Sequence, residues 1–296
     1  MASFDIDPGF AKQLEWIRAF VAEEVEPLDL AFGGEEVIYD KTHPVHNAFI
    51  RPLQERVRAE GLWSTHLTPE LGGQGYGQVY LAYMNEILGR SAFAPSVFGC
   101  QAPDSGNAEI LAHYGTDEQK KRFLAPLLEG RISSCYSMTE PQGGADPSLF
   151  TTSARRDGDE WVIEGEKWFS SSFERAAFII VMAVTDPDVS VYQGTSMFLI
   201  PAGTPGLEII RHTGMGYDRE GAGKGPPLNN TRGIIWVRGV VLRGSRRVLR
   251  DSDAASRRAP EAGNGWCDGR STRSRRTGSC GRGVGDEHVD GQQGGA

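Results

Sequence analysis

The chain has 296 residues, 39% of them apolar and 24% charged, and carries a net charge of -8 at pH 7. That length holds one large or two medium domains with a buried core, and the acidic balance argues against nucleic-acid binding by the whole chain. The longest apolar run, the nine residues from Ala176 to Val184, falls well short of the roughly 20 that a membrane-spanning helix needs, so no bilayer span is expected.

The N-terminal segment, MASFDIDPGF, has no basic region leading into an apolar stretch, so no secretory or import peptide is expected. Phe10, Leu14, Ile17, Val21, Val25 and Leu28 then recur at spacings of three and four, one face of a helix. Asp7 is placed as its N-cap, Pro8 as its first residue, and Pro27 marks its end. A second helix is expected over residues 45–60 and a third from Gln78 to Leu88. A fourth runs from Asp104 to Tyr114, with Gly115 placed to cap its C-terminus. Thr116 and Gln119 form a capping box for a fifth, which carries Phe123, Leu124, Leu127 and Leu128 and stops at Gly130.

After Arg131 the pattern changes. Asp157-Gly158 is a tight-turn dipeptide between extended stretches. Phe178 to Val184 reads as a buried strand, and Ser196 to Ile200, Leu207 to Ile210 and Ile234 to Leu242 read as further strands. Helices come first and strands second, without alternation. The expected fold is therefore α+β: a helical domain over residues 1–130, then a β-barrel-like domain over 131–242. Gly72-Gly-Gln-Gly75 does not match GxGxxG and does not follow a strand, so it is read as a flexible loop.

A compositional break falls near residue 220. Before it, acidic residues exceed basic ones by 15; after it, basic residues exceed acidic ones by 7, and all but one of the basic residues are Arg. Every Met and Phe lies before residue 221. From residue 251 on, Val284 and Val289 are the sole members of the Leu, Ile, Val and Phe set, far below the ~20% at which a chain can offset the entropy of ordering. Residues 243–296 are expected to form an irregular Gly/Arg-rich tail. It is either a basic arm for acidic partners or an out-of-frame translation of GC-rich DNA, and the second is favoured. Its aromatics are too few for a nucleic-acid stacking platform. Cys100, Cys135, Cys267 and Cys280 form no CxxC pair and have no histidine at ligand spacing. Neither a metal site nor a disulfide framework is expected, and a reducing compartment such as the cytoplasm suits them.

Two segments stand apart. Tyr136-Ser-Met-Thr-Glu-Pro-Gln-Gly-Gly-Ala-Asp146 packs hydroxyls, a proline and two glycines at the junction of the two domains. Gly165-Glu-Lys-Trp-Phe-Ser-Ser171 sets two aromatics beside two hydroxyls at a strand end. Together they could stack on and hydrogen-bond to a flat heteroaromatic ring. The pair resembles the flavin-binding signature of acyl-CoA dehydrogenases. Pro69 to Gly75, the Tyr114-Gly-Thr116 junction and the Leu127 to Gly130 ending extend the likeness. Gln101-Ala-Pro-Asp-Ser-Gly-Asn-Ala-Glu109 resembles the branch whose larger members carry a phosphotransferase-like domain.

The resemblance implies FAD as cofactor, an acyl-CoA substrate and α,β-dehydrogenation of its thioester in fatty-acid β-oxidation. It also implies an electron-transfer flavoprotein as acceptor, and homo-oligomers in the family. Tyr136, Ser137, Met138 and Thr139 would line the flavin. Phe169 would stack where the family usually has Trp, next to Ser170, and Ser171 would take the hydroxyl position near flavin N5. Ala145 stands where many members have a Ser that touches the acyl-CoA, and Asp146 matches the family's acidic position. No catalytic base is assigned. In the family that carboxylate lies in a C-terminal helical domain, which residues 221–296 do not resemble, so this chain is expected to bind flavin weakly or not at all, and not to dehydrogenate. A non-catalytic truncated form, an interaction module and an acyl-CoA oxidase remain as alternatives.

Overall fold

Asp7 opens the first helix: its carboxylate accepts from the Gly9 and Phe10 amides at 2.9 and 3.1 Å, and Pro8 fills the first position, where a missing N–H costs nothing. The computed structural model describes residues 6–32, 41–213, 232–243 and 247–250. Helices run over Pro8–Phe20, Glu26–Phe32, Arg51–Ala59, Gly77–Leu88 and Asp104–Tyr114, with shorter ones between and after them. The predicted stripe of Phe10, Leu14, Ile17, Val21, Val25 and Leu28 is buried throughout, in one core with Ile50, Val57, Met84 and Phe98.

Pro27 does not end the first helix. The chain makes a π-helical turn over Val21–Val25 and continues helically through Phe32. The same device recurs at His46–Ile50 before Pro52 and at Lys120–Leu124 before Pro126. A proline inside a helix lacks a donor for the carbonyl four residues back, and its ring presses on that carbonyl. In each turn the residue before the proline reaches back five positions instead, as Glu26 does to Val21. The wider turn makes room for the ring. Gly115 also differs from expectation. It follows the helix in extended backbone, not in the left-handed region, and its lack of a Cβ is used for close approach to the Leu111 carbonyl. The Thr116/Gln119 capping box forms with both reciprocal bonds.

The second half is a curled sheet of eight strands among the described residues: β1 Ser133–Ser137, β2 Ser153–Asp157, β3 Glu160–Ser171, β4 Ala176–Val184, β5 Thr195–Pro201, β6 Leu207–Thr213, β7 Arg232–Arg243 and β8 Arg247–Arg250. Their order is β6-β7-β3-β2-β4-β5-β8, with β1 parallel to β4. β6 and β8 lie at opposite ends, so the barrel-like expectation takes the form of an open, curled sheet. β8 pairs with β5; the remainder of the expected tail lies outside the described residues, as do the cysteines at 267 and 280.

β4 explains the unbroken apolar run. Ile179 and Val181 face a core with Cys135, Ile163, Ile200 and Val237, while Phe178 and Ile180 face the helices through Leu111, Phe123 and Leu127. A strand covered on both faces has no polar positions to alternate with. The helical half is tied to β1 by Asp104, whose Oδ1 accepts from the Ser134 amide and hydroxyl at 2.7 Å each, while Asn107 donates to the same hydroxyl at 2.8 Å. Among the described residues, no helix is long and apolar enough to cross a membrane.

Gly165 lets β3 pass against Thr152: a Cβ there would meet Thr152 Oγ1 at 2.3 Å and its Cα at 2.6 Å. Gly165→Ala is expected to lower the unfolding free energy by about 1–3 kcal/mol, the usual cost of overpacking. Urea unfolding reads this directly; an unchanged midpoint would mean that β3 and Thr152 separate freely.

Candidate functional site

β1 delivers Tyr136 and Ser137 to the end of the sheet, and the chain then leaves it as the loop that returns at Thr152. β3 passes alongside. Four contacts bind the two segments residue by residue. The Ser137 and Ser170 hydroxyl oxygens lie 2.5 Å apart in the interior. Lys167 Nζ donates to the Met138 carbonyl at 2.8 Å, and the Trp168 amide donates to the Thr139 carbonyl at 2.8 Å. Lys167 Nζ also meets Glu140 Oε1 at 2.7 Å. The two segments singled out in the sequence thus form one structure.

Ser137 and Ser170 are spent on each other beneath the surface. Met138, Thr139 and Ser171 are half-buried above them. Phe169 is 44% exposed, unusual for so large an apolar ring, and stands edge-on to Trp168 with centroids 5.8 Å apart. It sits at a break in the β3–β7 register with φ of +58°. A left-handed phenylalanine is strained by about 1–2 kcal/mol, and such strain gathers at ligand sites. Tyr136 turns its hydroxyl toward Met138 Sδ at 3.8 Å. Ala145 and Asp146 are exposed on the loop. Asp146 accepts from the Ser148 hydroxyl and amide at 2.6 and 3.0 Å, which holds its carboxyl below the usual range.

Beneath the loop lies a buried ion pair. Lys167 and Glu140 are 0% and 1% exposed. Glu140 Oε2 accepts from the Thr151 amide at 2.6 Å and from Gln142 Nε2 at 2.6 Å, while Oε1 takes the Thr152 amide at 3.0 Å. Desolvation pushes the Glu140 pKa up, but Lys167 and the threonine donors outweigh it, so the carboxyl lies below its ordinary value. Desolvation likewise pulls Lys167 down to about 8 against the opposing pull of Glu140. Neither Glu140 nor Lys167 is among the flavin-lining residues that the sequence points to. The signal was present: Ile163, Gly165 and Lys167 share one strand parity, and a lysine on the buried face of a strand needs a charged partner.

Residues 12–131 match the family model described as acyl-CoA dehydrogenase, N-terminal domain, and residues 135–224 match acyl-CoA dehydrogenase, middle domain. The chain belongs to the acyl-CoA dehydrogenase family. Acyl-CoA dehydrogenase family member 10 of Mus musculus is 38% identical over 214 residues, which cover 70% of this chain and 20% of the mouse protein. The probable acyl-CoA dehydrogenase FadE2 of Mycobacterium tuberculosis is 40% identical over 168 residues, 55% of this chain and 40% of its own length. A solved structure assigned as an acyl-CoA dehydrogenase of Mycobacterium abscessus aligns at 33% identity with a TM-score of 0.71, covering 86% of this chain and 64% of that one. A glutaryl-CoA dehydrogenase from Mycobacterium smegmatis in complex with FADH2 shares the fold, with a TM-score of 0.61 at 23% identity, covering 83% of this chain and 56% of that one. The chain therefore spans about a fifth of the mouse relative and less than two thirds of either solved structure. Both joined segments lie in the stretch that matches the middle-domain model, and the Asp104–Ser134 contact ties the N-terminal match to the strand that leads into it.

Proposed function

We propose that this chain supplies the flavin-gripping part of an acyl-CoA dehydrogenase acting on an acyl-CoA thioester. The observation that carries this reading is the residue-by-residue union of segments 136–140 and 167–170 beneath an exposed, strained Phe169. The residues suit a flat heteroaromatic ring. An aromatic face stands clear of the core, and the half-buried hydroxyls of Thr139 and Ser171 belong to the two joined segments. FAD bound there supplies a hydride acceptor for α,β-dehydrogenation. Phe169 would stack on its ring system, Thr139 would serve the pyrimidine edge, and Ser171 would take the hydroxyl position near N5. Ala145 and Asp146 border the thioester side.

The reaction also needs a base for the α proton, and these segments hold none. Glu140 is bound by Lys167, Thr151 and Thr152; Asp146 is bound by Ser148; Glu166 accepts from the Trp168 indole at 2.7 Å. The base therefore comes from outside these two segments. In an intact homologue that carries the base, electrons would pass to an electron-transfer flavoprotein, in fatty-acid β-oxidation. Free Cys100 and Cys135 support a reducing, cytoplasmic setting.

Titrating the purified chain into FAD tests the reading through quenching of flavin fluorescence. Saturable binding weaker than about 1 μM is expected, with no acyl-CoA-dependent bleaching. Absence of saturable quenching would overturn the flavin reading. Bleaching by acyl-CoA would place the base within this chain, and oxygen consumption alongside it would make the enzyme an oxidase.

A further inference from the structure

The buried Glu140–Lys167 pair is more elaborate than packing requires. The Lys167 ammonium is surrounded on three sides: by Glu140 Oε1 at 2.7 Å, by the Met138 carbonyl at 2.8 Å, and by the Phe150 ring, whose centroid is 4.8 Å away. Its ligands come from both ends of one loop. Met138 and Glu140 lie where the chain leaves β1, and Phe150 lies where it returns. Glu140 repeats the pattern, binding the Thr151 and Thr152 amides, eleven and twelve residues further along. One carboxylate thus closes the Pro141–Phe150 loop at its base, and one ammonium pins that base to β3. A second fixture supports the closure: a Cβ at Gly143 would meet the Phe150 ring at 2.5 Å, so the loop packs directly on the ring that covers Lys167.

The geometry points to Glu140 and Lys167 as positioning residues. The pair sets Met138 and Thr139 against Phe169 and Ser171, and holds the Ala145–Asp146 loop above them, without touching the ligand. This inference rests on the flavin reading of the same surface. Three features argue that the pair serves alignment. Both side chains are fully buried, so neither is available to a ligand. Their partners include three backbone groups of the loop ends, the Met138 carbonyl and the Thr151 and Thr152 amides. The residues that they align include the exposed Phe169, Ala145 and Asp146. A flat ring gripped between two segments is sensitive to their offset, because productive sites tolerate displacements of only about 0.5 Å.

The test is the double variant Glu140→Gln with Lys167→Met, which removes both charges and keeps the volume, so that it folds as the parent does. The expected result is a split: the flavin-free thermal midpoint moves by no more than about 5 °C, while the Kd for FAD rises about tenfold or more. Hydrogen exchange in the flavin-free protein provides an independent readout. The Thr151 and Thr152 amides should lose protection in the double variant, while amides of helix Asp104–Tyr114 keep theirs. Parent-like FAD affinity, or protected threonine amides, overturns the positioning role. Equal losses of midpoint and affinity reduce the pair to a stability element and overturn it too. A parent chain that binds no FAD overturns the flavin reading first, and the exchange data then decide separately whether the pair closes the loop.

Discussion

Lys167→Met alone should lower the unfolding free energy at neutral pH by about 3–5 kcal/mol, the cost of stranding a buried charge. The substitution keeps the volume of the side chain and removes the cation, so the effect is electrostatic. Glu140, 1% exposed, would retain the Thr151, Thr152 and Gln142 donors but lose its counter-ion. The sign of the pH dependence then separates this cause from packing. In the parent, Glu140 lies below the ordinary carboxylate range. Its contribution is present above the unfolded-state pKa and is lost as pH falls through the lower folded value. In the variant the balance reverses. Without the ammonium, burial dominates, the folded carboxyl titrates above its unfolded value, and acid relieves the strain. The deficit between parent and variant should therefore narrow from pH 7 to pH 5 in urea-unfolding measurements. A deficit that is small, or constant with pH, would show that the lysine is held by packing alone. Adding Glu140→Gln should restore much of the loss, since two contacting residues do not contribute additively.

The helical and β halves were legible because their periodicities differ and their cores obey them. The stripe from Phe10 to Leu28 and the run from Phe178 to Val181 are buried as pattern alone requires. The proline at position 27 was misread because propensity assigns a stop to proline inside a helix, whereas a π-turn placed just before it removes the clash. Nothing in the local sequence around Pro27, Pro52 or Pro126 announces that turn; the packing of the helix beyond it decides the matter. At the site, motif spacing brought out both segments, and the structure joins them. It did not foretell which hydroxyls face inward. Ser137 and Ser170 share a chemistry with Thr139 and Ser171, and only the folded sheet, with β1 against β4 and β3 against β2 and β7, turns the first pair toward each other. Lys167 was legible from strand parity, but parity names a buried charge without naming its partner. Glu140 lies 27 residues away and is brought close only by the return of the chain along β3.

Phe169→Gly should separate stability from binding. At φ of +58° the native backbone costs a phenylalanine about 1–2 kcal/mol that a glycine avoids. Against this, glycine gives up roughly 0.5–1 kcal/mol through the greater freedom of the unfolded chain. The ring is 44% exposed, so loss of its buried part costs about 1 kcal/mol more. Trp168 is still held by its bond to Glu166 at 2.7 Å. These terms nearly cancel, and the flavin-free chain should unfold close to the parent's midpoint. FAD affinity should fall. Stacking of a heteroaromatic ring on an aromatic side chain is worth about 1–3 kcal/mol, or roughly 5- to 150-fold in Kd. Phe169→Trp keeps the left-handed strain and enlarges the stacking face, so it should bind FAD at least as tightly as the parent while remaining no more stable. A protein whose side chain at this position were purely structural would show the reverse for glycine: a lower midpoint and an unchanged Kd. Measured together, denaturation midpoint and flavin Kd decide whether the strain at residue 169 is maintained for the ligand, because only a ligand-facing role makes the less strained variant the weaker binder.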